Sequence, residues 1–287
     1  MRNLTENTLT DAVLQTIDGT EDPRLKEVLT SLIKHLHAFA IEVGLTPDEW
    51  MRGIQYLYDA GKLSTPERNE FILTSDILGL SSLLDMIKGR GVTTGTEYSV
   101  LGPFFVDGAP QVPVDGDMMG DNPGTPVVLK GKIVNEEGAP IEGARIELWQ
   151  NQDNGLYDVQ ETHEGAVPNL RCHQITGADG RYGVKTIKPV SYKVPDDGPA
   201  GDILRSTGRT AWRPAHYHIW IAADGYRSLV TELFPGDDPY IDGDAVFGVR
   251  DSLRVDFGDA QDAAEAATFG VEAPYKKVDF DFVLVAD

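Results

Sequence analysis

The hydrophobic period of this chain changes once, and that change limits what the chain can fold into. Apolar residues recur at helical spacing over the first part of the chain and alternate from about Pro126 onward. Leu25, Val28, Leu29, Leu32, Ile33, Leu36, Phe39 and Val43 keep the i, i+3, i+4 spacing of one helical face. Thr46-Pro47-Asp48-Glu49 is a helix start: a capping hydroxyl, proline at the first position, then acids in the first turn. Thr65-Pro66-Glu67 repeats that signal ahead of a run ending near Ile87, which Gly89-Arg90-Gly91 closes. The patterns predict about three helices before the change.

Glu97 to Gly124 has no period and is rich in Gly and Pro, as in an ordered loop or linker. Beyond it, Val127 to Val134, Ala144 to Trp149, Arg181 to Ile187, His216 to Ala222, Ser228 to Phe234 and Lys277 to Val285 read as strands. The pair flanking Asp224-Gly225 reads as a hairpin. The expected fold is mainly β with α: a helical region over 1–100, a loop over 101–125 and a β-sandwich over 126–287.

Composition excludes several classes. A chain of 287 residues buries roughly three quarters of its unfolded surface and needs no covalent staples. Its one cysteine, Cys172, rules out an intramolecular disulfide and fits a reducing compartment. A formal charge of -21 repels nucleic-acid phosphates and anionic membranes, so neither is an expected partner. No run of about eighteen apolar residues exists to span a membrane, and Met-Arg-Asn-Leu-Thr-Glu-Asn lacks a signal-peptide core. The expected location is cytoplasmic.

Six histidines are candidate ligands: His35, His37, His163, His173, His216 and His218. His35 and His37 lie in a predicted helix, where two residues amount to about 200° of rotation, so they cannot share a cation. His216 and His218 lie on a predicted strand and share one face. That spacing suits either two half-buried polar residues or two ligands of one metal. No cysteine lies near them, and the His-x-Asp/Glu of a facial triad is absent. Remaining donors are carboxylates elsewhere or phenolates; a phenolate is a hard anion that favours Fe³⁺, and spacing does not say which of ten tyrosines contribute. Arg213 reads either as a structural ion-pair partner or as a fixed charge for an anionic substrate.

The stretch Tyr192-Lys193-Val194-Pro195-Asp196-Asp197-Gly198-Pro199, with Gly208-Arg209-Thr210-Ala211-Trp212-Arg213-Pro214-Ala215-His216-Tyr217-His218, resembles the signature of the intradiol ring-cleavage dioxygenases. The helical part, the Val-Leu-Gly-Pro-Phe-Phe loop and Ala144 to Gln160 extend the resemblance over most of the chain. It implies a helical dimerisation domain followed by a prealbumin-like β-sandwich catalytic domain. It implies one Fe(III) per subunit held by Tyr157, Tyr192, His216 and His218, with Tyr182 a packed strand residue instead. Tyr192 would also act as a base, and Arg213 would stabilise charge developing on the ring. A homodimer is implied, with room for a phospholipid at its interface.

Gly-Leu-Tyr-Asp-Val-Gln and the loop from Thr96 to Pro110 are similar to the branch that opens hydroxyquinol, benzene-1,2,4-triol. The pocket implied by that branch is Leu73, Asp76, Val100, Leu101, Gly102, Pro103, Phe104, Val194, Pro195 and Arg213. Asp76 would accept a hydrogen bond from the third hydroxyl. Glu232 departs from catechol-cleaving relatives, which often carry Gln there, and stands beside the iron with no assigned role. A catechol or chlorocatechol dioxygenase and a non-enzymatic β-sandwich binding module are the alternatives.

Overall fold

The structure is a computed structural model that describes residues 3–65, 68–91, 93–161 and 168–287. Among these, five helices precede the strands: α1 (Glu6–Thr16), α2 (Pro23–Val43), α3 (Pro47–Leu63), α4 (Glu70–Ile77) and α5 (Leu80–Lys88). Two more than expected arise for identifiable reasons. α1 carries little apolar signal, and the run toward Ile87 breaks at Gly79, whose φ of 76° ends one helix and starts the next. Asn69 caps α4 by accepting from the Phe71 and Ile72 amides. Pro66 and Glu67, part of the predicted start, lie outside the described residues.

The chain divides into two compact units, residues 1–58 and 59–287. In the first, α2 starts on Asp22, which accepts from the Arg24 and Leu25 amides, and stops at Gly44, φ 60°. His37 Nδ1 lies 2.9 Å from Thr10 Oγ1 of α1. The predicted stripe on α2 exists but stays open within the unit. Leu25, Val28, Leu32, Leu36, Phe39 and Val43 are 45% to 58% exposed.

The second unit holds the strands β1 (Gly116–Asp117), β2 (Pro126–Asn135), β3 (Arg145–Trp149), β4 (Arg171–Ile175), β5 (Arg181–Ile187), β6 (Tyr192–Lys193), β7 (Trp212–Arg213), β8 (Tyr217–Ala222), β9 (Leu229–Pro235), β10 (Arg254–Val255), β11 (Gly258–Ala260), β12 (Tyr275–Asp279) and β13 (Phe282–Leu284). Helix α6 (Pro199–Ser206) separates β6 from β7, and α7 (Ala263–Phe269) separates β11 from β12. One sheet runs β1-β5-β2-β12-β11, with β13 also on β2; the other runs β10-β9-β8-β3-β4. Val127, Leu129 and Ile133 of the first sheet share one buried core with Ile146, Leu148, Ile219, Ile221 and Leu233 of the second, which makes a β-sandwich.

The predicted last strand is two strands, β12 and β13, both parallel to β2. β2 carries no side chain at Gly131 where the chain changes over; a Cβ there would meet the Phe280 carbonyl at 1.8 Å. β4 was hidden in the sequence because it buries polar groups, Arg171 and Gln174. The predicted hairpin is the antiparallel pair β8–β9.

Candidate metal centre

The two-residue period of β8 decides which side chains meet. Tyr217, Ile219 and Ile221 enter the core between the sheets, which turns His218 to the opposite face. On that face β3, β8 and β9 align Trp149, His218 and Glu232 in one cross-strand row. His216 stands just before the strand, and its Nε2 is 3.1 Å from His218 Nε2. His216 Nδ1 lies 2.8 Å from the Pro214 carbonyl, which fixes the proton there and leaves Nε2 a bare lone pair.

Two phenols complete the cluster. Tyr157 Oη is 3.2 Å from His216 Nε2. Its loop is pinned: the Tyr157 amide donates to Gln160 Oε1 at 2.9 Å, and Asp158 pairs with Arg171. Phe104 stacks on the Tyr157 ring at 4.4 Å. Tyr192 pairs in register with Arg213 on the ribbon β6–β7, and its ring lies 5.6 Å from that of His216. Tyr182 is elsewhere, donating to the Phe280 carbonyl at 2.7 Å and packed on Phe282. His173 faces the Ala109 carbonyl, and His35 and His37 stay on α2. His163 lies outside the described residues.

Arg213 is held by three oxygens of two buried acids, Asp244 and Glu232. Nε is 3.0 Å from Asp244 Oδ1, Nη2 is 3.2 Å from Asp244 Oδ2, and Nη2 is 3.0 Å from Glu232 Oε1. Burial opposes its charge, but Asp244 and then Glu232 raise its pKa well above the usual range. Arg213 Nη1 also donates to His216 Nε2 at 3.2 Å. Burial, then Arg213, keeps His216 neutral, and burial with His216 and Arg213 does the same for His218. Burial pushes the phenols of Tyr157 and Tyr192 up. It also pushes Glu232 up to about 7, against the pull of Arg213. Ser99 Oγ bridges Glu232 Oε2 at 2.5 Å and the Gly248 carbonyl at 2.7 Å.

These donors fit a cation. His216 Nε2 and His218 Nε2 face each other at 3.1 Å, with Tyr157 Oη 3.2 Å from the first, so the donor atoms converge on one point. His216, His218 and Glu232 bring ligand atoms within 4.8 Å of one another, and the only thiol among the described residues, Cys172, belongs to the sandwich core. A set of imidazoles and phenols suits a hard trivalent ion more than one that prefers sulfur.

A cavity of about 480 Å³ opens beside the cluster. Leu73, Asp76, Val100, Gly102, Pro103, Phe104, Val194, Pro195 and Arg213 line it, together with Tyr192. Leu101 is not among the lining residues and is 39% exposed. Arg68, Lys193 and Asp197 at the lining were not anticipated, nor were Ser99, Asp244 and Gly248 behind Arg213. Their signals are weak in sequence, since they are gathered from segments far apart along the chain.

The architecture has known counterparts. The family model described as Dioxygenase matches residues 100–286, and that described as Catechol dioxygenase N terminus matches residues 22–94. The chain belongs to the intradiol ring-cleavage dioxygenases, a family of enzymes that use non-haem iron. The binding-module reading falls with that membership. Within the family, the chain is 43% identical to the hydroxyquinol 1,2-dioxygenase of Rhizobium sp. (strain MTP-10005), over 96% of this chain and 93% of the relative. It is 42% identical to that of Nocardioides simplex, over 97% and 95%. The crystal structure of hydroxyquinol 1,2-dioxygenase from Pseudomonas putida DLL-E4 superposes with a TM-score of 0.90 at 40% identity, covering 98% of this chain and 99% of that one.

Proposed function

We propose that this chain opens hydroxyquinol with O2 between its adjacent hydroxyls, inserting both oxygen atoms to give 3-hydroxy-cis,cis-muconate, which tautomerises to maleylacetate. The observation that carries this reading is that His216 Nε2 lies 3.1 Å from His218 Nε2 and 3.2 Å from Tyr157 Oη, next to a cavity that also holds Asp76. The volume, about 480 Å³, lies within the range of small-molecule sites.

Tyr157, Tyr192, His216 and His218 would hold one Fe(III) per subunit. The ion would supply Lewis acidity and a template for the diol. Tyr192, at the cavity wall, would take a proton from an incoming hydroxyl when it is held as a phenolate. Arg213, buried and fixed by Asp244, would stabilise negative charge on the ring. Asp76 would accept from the third hydroxyl, and Leu73, Val100, Leu101, Gly102, Pro103, Phe104, Val194 and Pro195 would enclose the ring.

The region 1–100 serves, in this reading, as a dimerisation region, 101–125 as the pocket loop and 126–287 as the catalytic domain. The open apolar stripe on α2 supports a homodimer that covers it, with a phospholipid as a further occupant. No helix among the described residues is long and apolar enough to cross a membrane, and a cytoplasmic location fits the composition.

Product analysis tests the reading directly. Purified protein under air, given benzene-1,2,4-triol, should form maleylacetate and should turn over catechol more slowly. Faster cleavage of catechol would move the chain to the catechol or chlorocatechol enzymes. A colourless protein with full iron content would remove the tyrosinate ligands from the proposal.

A further inference from the structure

The His218 ring is fixed in every respect but one. Trp149 lies parallel to it, 4.9 Å away at an interplanar angle of 5°. Gly102 presses on its edge, where even a Cβ would come within 3.0 Å of Cε1. What remains to be set is the tautomer, and two orphan atoms bear on it. Among the described residues, His218 Nδ1 and Glu232 Oε1 are both buried side-chain atoms with no hydrogen-bond partner. They lie 3.4 Å apart. Arg213 Nη2 is 3.0 Å from Oε1, yet it donates in line to Oε2, at 3.2 Å, so Oε1 keeps its acceptor capacity.

Register places Glu232 there. It sits directly opposite His218 across β8–β9, and Ser99 holds its other oxygen at 2.5 Å. An orphan donor 3.4 Å from an orphan acceptor at the end of a buried ring is within bonding distance and lacks only alignment. If Nδ1 carries the proton, Nε2 is bare and faces His216 Nε2, where the ligand atoms converge.

We infer that Glu232 is a positioning residue: its carboxylate accepts from His218 Nδ1–H, fixing the tautomer that presents Nε2 to the iron and strengthening that nitrogen as a donor. This rests on the metal reading above. The backbone carbonyl of Val100 is the rival acceptor near the same ring.

Three variants and two readouts on the iron-loaded protein test the inference. The readouts are the rate at which a chelator strips iron and the position of the tyrosinate-to-iron absorption band. Glu232→Gln keeps shape and an acceptor oxygen but loses the charge; Glu232→Leu loses both; Asp244→Asn removes an acid from Arg213 without touching His218. Iron loss should be faster in Glu232→Gln and faster again in Glu232→Leu, spanning about 10- to 100-fold. The band should move to longer wavelength in both, and less in Asp244→Asn. Unchanged iron retention and band in Glu232→Leu would assign Nδ1 to Val100 and overturn the inference. Equal shifts in Glu232→Gln and Asp244→Asn would also overturn it, since only general electrostatics would then be at work. A wild-type protein that binds iron without colour would instead sink the ligand set, a separate failure.

Discussion

Asp244 and Arg213 meet side-on, Oδ1 to Nε at 3.0 Å and Oδ2 to Nη2 at 3.2 Å, so both edges of the carboxylate are matched to the fork of the guanidinium. Asp244 also accepts from the Val246 and Gly248 amides. It therefore ties Arg213 to the loop behind the site. Breaking a buried pair of this kind costs about 3–5 kcal/mol. Asp244→Asn should lose stability on that scale in urea denaturation and lower kcat on hydroxyquinol. A variant with wild-type stability and kcat would show that Arg213 needs no such anchor.

Gly248 has room for nothing more. A Cβ there would lie 2.7 Å from Arg213 Nη2, 2.7 Å from Glu232 Oε2 and 3.0 Å from Asp244 Oδ2. Overpacking costs about 1–3 kcal/mol. Gly248→Ala should lower the melting temperature and depress kcat more than KM, because the atoms it displaces hold Arg213 rather than the substrate. A fall confined to KM would place the strain at the cavity instead.

Asp76 tests substrate choice. Burial raises its pKa while Ser81 lowers it, and it lines the cavity. A hydrogen bond to a charged group is worth about 1.5–3 kcal/mol, so Asp76→Ala should cut kcat/KM for hydroxyquinol about 10- to 150-fold. Catechol, which lacks the third hydroxyl, should be affected far less. Equal losses on both substrates would return Asp76 to a purely structural role.

Asp85, on α5, offers a pH signature. Burial raises its pKa to about 6, with Arg250 and Lys88 opposing. An acid raised by folding binds its proton more tightly in the native state. Its contribution is therefore complete below the unfolded value, near 4, and is lost as pH rises through about 6. Asp85→Asn should melt above wild type at pH 8, by something of order 1 kcal/mol after solvent screening, and the gap should close toward pH 4. An offset independent of pH would contradict this.

Legibility in the sequence followed the range of the interactions. The shared face of His216 and His218 was readable because a strand's period is local, and so was the separation of His35 from His37 on α2. The helix start at Pro47 followed capping rules that act within one turn. Tyr157 was not readable from spacing, since it leaves β3 on a loop pinned by Arg171 of β4. Nor was Tyr192, which is fixed by a two-residue ribbon partner 21 positions later in Arg213. Family resemblance, not periodicity, pointed to both. Asp244, Ser99 and Gly248 escaped because a long-range cluster leaves no mark in any one window. Glu232 stood out only as a departure, and its register against His218 gave it a place.

The parallel pairing of β12 with β2 joins Val127 to Lys276, roughly 150 residues along the chain. Such contacts must overcome a large loop-closure entropy before any pairing energy is gained. α1 and α2, whose contacts are local, can form long before that sheet is complete. Until β12 and β13 dock, β2 carries Val127, Val128, Leu129 and Ile133 along an open edge. That edge is where another copy of the chain could pair by mistake, so the yield of active enzyme is decided by how soon a distant segment returns.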